Sequence, residues 1–178
     1  MMRDTEFKAM QAFMAFVDHV HPYVPARAQA FGVQPGMTVV DYGCGPGRYT
    51  TEFARLVGDE GVVYAVDLLD IALEQTGKRL EKMGVCNVNL VKADGYDTGI
   101  PDGAADMVFA IDMIHHIDDI PALLREIWRI STPDASLVFS GGHMSRRAVK
   151  TKVSVGGGWQ LAEEHKHFLR YEKLEVEV

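Results

Sequence analysis

The segment Val39-Val40-Asp41-Tyr42-Gly43-Cys44-Gly45-Pro46-Gly47-Arg48 sets an apolar run, an acid and three alternating glycines in one stretch. An apolar run bounded by a turn signal reads as a buried strand, and Thr50 to Val57 reads as the helix that leaves the turn. Gly43, Gly45 and Gly47 carry no Cβ, so the turn can take positive φ and let a small ligand touch bare backbone. A strand, a glycine turn and a helix make one half of a nucleotide pocket. The spacing narrows the choice. A dinucleotide-binding turn has the form G-x-G-x-x-G, whereas here Arg48 stands at the sixth position and the glycine falls one residue early, at Gly47.

The theme then repeats. Gly61 to Asp67 is a second apolar run ending in an acid, followed by helical spacing from Ile71 to Met83 that Gly84 stops. Val88 to Ala93 is a strand leading to Asp94, Asp106 to Ile111 a strand leading to Asp112, and Ser136 to Ser140 a fifth strand. Asp118 or Asp119 caps a helix with Pro121 in its first turn and Ile120, Leu123, Leu124, Ile127 and Trp128 on its inner face. Strands alternating with helices predict an α/β fold in which right-handed crossovers cover both faces of a parallel sheet. Ligands of such sheets bind at the carboxyl ends of the strands, so Asp41, Asp67, Asp94 and Asp112 are expected along one edge.

The two ends of the chain differ from this core. Phe7, Met10, Phe13, Met14 and Val17 recur at helical steps across Asp4 to Val20, which predicts a helix that either packs on the domain or covers a ligand as a lid. A second short helix follows Pro25. Beyond a helix over Met144 to Val155, three glycines lead to Trp159–Lys166 and His167–Val176, two extended segments that predict an antiparallel hairpin. His165 and His167 share one strand face by period two. With no third ligand at a sensible spacing they read as exposed hairpin residues, and no metal site is expected.

The order Asp41-x-Gly43-x-Gly45-x-Gly47 resembles the first motif of the class I methyltransferases that use S-adenosylmethionine. Asp94-Gly95-Tyr96 resembles their third motif, and Asp112 followed by Met113-Ile114-His115-His116-Ile117-Asp118 resembles their post-strand segment. The resemblance runs from Val33 to about Gly142 and is nearest to the group that includes quinone-biosynthesis C-methyltransferases. It implies a Rossmann-like seven-stranded sheet, mostly parallel with a C-terminal antiparallel hairpin, and helices on both faces. The implied organisation is a single domain over residues 1–178, with 1–31 a helical lid region, 32–142 a cofactor-binding core and 143–178 a helix plus hairpin. It also implies S-adenosylmethionine as cofactor, S-adenosylhomocysteine as product and in-line methyl transfer to a small-molecule acceptor.

On that resemblance each acid has a role. A carboxylate at Asp67 can accept from both ribose hydroxyls, the alternative being a helix N-cap, and Leu68 offers an apolar face to the adenine. Asp94 accepts from the adenine amine while backbone at Gly95 meets the ring, unless the pair is only an Asp-Gly turn. Backbone around Ala110 and Ile111, with Asp112, meets the methionine part. His115, His116 and His143 are candidate proton acceptors, and because adjacent residues point in different directions, one of the first two is expected to face the acceptor and the other to pack. Pro133-Asp134-Ala135-Ser136 departs from the Pro-Gly-Gly turn usual before the fifth strand.

Composition removes other classes. At 178 residues, 47% apolar and 24% charged, the chain suits one soluble domain with a single sizeable core. No apolar run approaches the roughly 20 residues that span a bilayer, and the start lacks a signal peptide's basic-then-apolar order, so a cytoplasmic protein is expected. Cys44 and Cys86 form neither a disulfide framework nor a metal-ligand spacing. A formal net charge of -7 disfavours a grip on nucleic acid; the cluster Arg146, Arg147, Lys150 and Lys152 reads as a solvated helix face or a seat for a small anionic substrate group. Two other readings stay open: an NAD-dependent oxidoreductase, against which Arg48, Asp94 and the hairpin stand, and a nucleoside-binding module without catalysis.

Overall fold

A computed structural model describes residues 23–140, 142 and 144–174. The helix expected over Asp4 to Val20, and His143, lie outside the described residues. The elements run α1 (Tyr23–Ala30), β1 (Thr38–Tyr42), α2 (Arg48–Val57), β2 (Val62–Asp67), α3 (Asp70–Met83), β3 (Val88–Lys92), β4 (Ala105–Ile111), a 3-10 turn (Ile114–His116), α4 (Ile120–Ile130), β5 (Ser131–Ser140), α5 (Arg146–Gly156), β6 (Trp159–Glu164) and β7 (Leu169–Lys173). They build one seven-stranded sheet in the order β3-β2-β1-β4-β5-β7-β6. The first five strands are mutually parallel, and β7 inserts antiparallel between β5 and β6.

Period two along the central strands sorts the core into two layers. Val39, Met107, Phe109, Ile111 and Val138 face α1 and α2, where Ala28, Phe31, Phe53 and Val57 close the layer. Val40, Val108, Ala110, Leu137 and Phe139 face the other way, onto Leu123, Leu124 and Ile127 of α4 and Val149 and Val153 of α5. Phe53 stacks on Phe109 with centroids 4.2 Å apart, and Phe31 meets Phe109 at 5.1 Å, so the glycine turn's helix is pinned by aromatic packing. Asp119, one of the two expected caps, accepts the Ala122 N–H at 2.9 Å and starts α4.

Two boundaries differ from expectation. The fifth strand starts at Ser131 rather than Ser136, because Ser131 pairs with Ala105 and the register then slips between Ala105 and Met107. Pro133, which has no N–H to donate, falls within that irregularity. The hairpin strands end earlier than the alternation suggests: His165 to Phe168 is a turn closed by the His165 N–H on the Phe168 carbonyl at 3.0 Å. His165 and His167 therefore sit in a turn, not on a strand face. Among the described residues no helix is long and apolar enough to cross a membrane.

Candidate functional site

The strand order reverses beside β1, so the carboxyl ends of β1 and β4 flank the topological switch point of the sheet. The glycine turn sits there with Gly43, Gly45 and Gly47 at φ of 79°, 54° and 72°. A side chain on Gly45 would meet nothing within 4 Å, so this residue opens the turn toward empty space. A Cβ on Gly47 would lie 2.8 Å from Thr76 Cγ2, which is where α3 packs against the turn. The Thr76 hydroxyl donates to the Gly45 carbonyl at 2.9 Å and holds that packing.

Asp67 ends β2 and reaches the same turn. Its Oδ2 accepts the Gly45 N–H at 2.9 Å and its Oδ1 accepts the Leu69 N–H at 2.9 Å. Burial lifts this carboxyl above the usual carboxylate range, while the Leu69, Gly45 and Leu68 N–H groups and Lys92 work in the opposite direction. Each oxygen keeps a lone-pair direction beyond its backbone bond. Leu68 beside it is 49% exposed, an apolar side chain left uncovered.

Asp41 has a different place. It is buried within β1 and accepts the Thr50 hydroxyl at 2.6 Å, which ties the first strand to the first turn of α2. Burial, with the charge of Asp67 adding, pushes its carboxyl up to about 7. Asp94 and Gly95 are exposed in a turn in which Asp94 and Asp97 exchange backbone hydrogen bonds at 2.9 and 3.0 Å. The Ala93 N–H donates to the Asp67 carbonyl at 3.1 Å, so the ends of β2 and β3 are neighbours. Asp41, Asp67 and Asp94 thus share one sheet edge.

At the end of β4, the Ala110 side chain is buried in the core, leaving only its backbone for a ligand. Asp112 holds φ of 56°, a left-handed conformation unusual outside glycine, and its Oδ1 accepts the Ser140 hydroxyl at 2.8 Å. Ser140 Oγ in turn accepts Arg27 Nη2 at 2.5 Å, and the same nitrogen donates to the His167 carbonyl at 2.7 Å. Helix α1 is thereby fastened to the ends of β4, β5 and the hairpin turn.

A cavity of about 1030 Å³ opens on this side, lined by Arg27, Arg48, Asp112, Ser140, Arg146 and Lys166 among others. It also takes His115, His116, His165 and His167. The expectation that one of His115 and His116 packs inward is corrected: both are exposed, their centroids 3.9 Å apart, and both face the cavity. The 3-10 turn explains this, since Ile114 takes the buried direction and leaves the outer side to both rings. Sequence reasoning missed Arg27, Ser140 and the hairpin turn. It used Arg48 only to exclude a dinucleotide turn, although this residue follows the glycines directly and lines the cavity. Among the described residues no group of three or more His, Cys, Asp or Glu could hold a metal ion.

The sheet order, the antiparallel final pair and the glycine turn with acids at neighbouring strand ends define a Rossmann-like methyltransferase fold. The chain belongs to the methyltransferase domain family, whose model matches residues 40–139. It is 31% identical over 126 residues to the ubiquinone/menaquinone biosynthesis C-methyltransferase UbiE of Shewanella woodyi, covering 70% of this chain and 50% of that protein. It is 33% identical over 123 residues to the UbiE of Shewanella oneidensis, covering 68% and 49%. The chain thus spans about half the length of the curated relatives it matches. In fold it is similar to a SAM-dependent methyltransferase from Aquifex aeolicus, with TM-score 0.76, 24% identity, and 83% of this chain and 88% of that one covered. A putative S-adenosyl-L-methionine-dependent methyltransferase from Methanococcus maripaludis superposes with TM-score 0.80 at 18% identity, covering 98% and 94%. The alternative of an NAD-dependent oxidoreductase finds no support among these relatives.

Proposed function

We propose that this chain transfers a methyl group from S-adenosylmethionine to a small-molecule acceptor by in-line displacement. The observation that carries the reading is the Asp67 carboxylate at the tip of β2, hydrogen-bonded to the Gly45 N–H of a turn that is open on its outer side. These residues fit a nucleoside: Asp67 offers acceptor sites to ribose hydroxyls, Leu68 an apolar face to adenine, and Asp94 with Gly95 the edge of the base. Asp41 serves from beneath, through Thr50, by holding the turn in shape. Gly43 and Gly47 set the turn, and backbone from Ala110 to Asp112 lines the methionine end.

S-adenosylmethionine supplies a methyl group already activated on a sulfonium sulfur, so the protein's main task is alignment. Positioning of this kind is worth up to about 7 to 11 kcal/mol for well-oriented reactants. Where the acceptor must lose a proton, His115 or His116 takes it, since both rings face the cavity beyond Asp112. His143 belongs to the same proposal as a third base. A cytoplasmic setting and an acceptor other than nucleic acid accord with two free cysteines, Cys44 and Cys86, and a net charge of -7.

Incubation with methyl-labelled S-adenosylmethionine and a broad panel of phenols, quinols, amines and carbon acids tests the reading. Label transferred to at least one acceptor, with S-adenosylhomocysteine released in equal amount, is the expected result. Cofactor binding with no turnover across the panel would mark a nucleoside-binding module instead.

A further inference from the structure

The carboxyl edge of the sheet is divided by charge. Asp67 and Asp94 stand at the ends of β2 and β3, on the side proposed for the nucleoside. Beyond β4 the sign reverses: among the described lining residues the cavity wall carries Arg27, Arg48, Arg146 and Lys166 against one carboxylate, Asp112, in a chain whose net charge is -7. The four cations come from four places in the sequence: α1, the first residue of α2, the first residue of α5 and the β6–β7 turn. Convergence from four elements differs from the one-sided basic face of a solvated helix.

The three arginine side chains are also held. Arg27 Nη2 is fixed by Ser140 Oγ and the His167 carbonyl, Arg146 Nη2 donates to the Lys166 carbonyl at 2.5 Å, and Arg48 Nη2 to the Tyr23 hydroxyl at 3.1 Å. Both Arg27 contacts are to neutral oxygens, which orient the guanidinium without cancelling its charge, while Arg146 also feels the Glu164 carboxylate. Asp112, the carboxylate among the described lining residues, is itself engaged by Ser140. The field is felt locally: burial first, then the charges of Lys166, Arg27, His165 and Arg146, hold the His167 imidazole below its usual range.

We infer that this cavity seats an anionic oxygen group of the acceptor, a carboxylate or a phosphate, so that the molecule methylated is a small acid. The inference rests on the methyltransferase reading and gives its substrate class. Guanidinium forks match both oxygen groups in geometry and charge. At about 1030 Å³ the cavity has the room of a large small-molecule site, enough for the anionic group and the body that carries it. Acids at one end for a cationic sulfonium and bases at the other for an anion would orient the two reactants toward each other across Asp112.

Calorimetry on the full chain decides it. S-adenosylhomocysteine is titrated first, and its failure to bind would count against the methyltransferase reading alone, because the next titrations can be run on the free protein. Benzoate, phenyl phosphate and the neutral benzamide follow as probes. At least one anion is expected to bind tenfold or more tighter than benzamide, and the tighter of the two identifies the oxygen group. Replacing two of the three cavity arginines, Arg48→Gln with Arg146→Gln, should bring the preference to within twofold, whereas Arg147→Gln, an exposed arginine outside the cavity lining, should leave it intact. Benzamide binding as well as either anion, no probe binding at all, or an equal loss in Arg147→Gln would each overturn the inference.

Discussion

The Gly45 N–H donates to Asp67 Oδ2 at 2.9 Å, joining the glycine turn after the first strand to the tip of the second. Replacing Asp67 with alanine removes the proposed ribose acceptor and leaves that N–H without its carboxylate. Affinity for S-adenosylmethionine is expected to fall by about 1.5 to 3 kcal/mol, the usual worth of charge-assisted hydrogen bonds. Unchanged affinity on titration would show that the carboxylate serves the turn alone.

Gly47 holds φ of 72° and has Thr76 Cγ2 where its Cβ would go, at 2.8 Å. Gly47→Ala should therefore lower stability by about 1 to 3 kcal/mol through backbone strain and overlap together. In a Thr76→Ser background, which keeps the hydroxyl and removes the methyl, part of the loss should return. Denaturant midpoints of the four proteins separate the contact from the backbone component.

Asp41 gives a pH dependence whose sign follows from its environment. Burial raises the folded-state value to about 7 from an ordinary carboxylate value of 3.8, so between those limits the folded chain holds a proton that the unfolded chain has lost. Stability from this group is fully present below the lower value, falls as pH rises and levels off above the upper one. The whole change is on the order of 4 kcal/mol. Asp41→Asn can still accept the Thr50 hydroxyl and has no proton to lose, so its advantage over the parent should grow as pH rises from the lower value to the upper. A difference between the two proteins that stays constant over that range contradicts the account.

His115 and His116 both face the cavity, so neither single variant is expected to abolish turnover on an acceptor that must lose a proton. The double variant His115→Gln with His116→Gln should lower kcat by about a hundredfold or more while cofactor affinity stays within twofold. Retention of full kcat in the double variant would remove both imidazoles from the proton transfer.

Much of this arrangement is legible in local pattern. Apolar runs ending at Asp41, Asp67, Asp94 and Asp112 mark the four strand ends, because an acid after a buried strand has few places to go except the open edge of a parallel sheet. Asp41 shows the limit of that reading: its carboxyl turns inward to Thr50, and only packing of α2 on β1 determines this. The early start of β5 depends on pairing with Ala105, a partner far away in sequence. Arg27 reaches Ser140 across 113 positions, and no periodicity reports such a contact. His165 and His167 look like alternating strand residues until the turn from His165 to Phe168 breaks the alternation and puts them in the lining of the cavity that also takes His115 and His116.

The central claim is that the open turn at Gly45 and the Asp67 carboxylate receive an adenosyl group whose partner atom is a sulfonium or thioether sulfur. Isothermal titration with S-adenosylmethionine, S-adenosylhomocysteine and NAD tests it most directly. Micromolar binding of the first two and none of NAD is the predicted result; NAD binding, or no heat from either adenosyl compound, would contradict it.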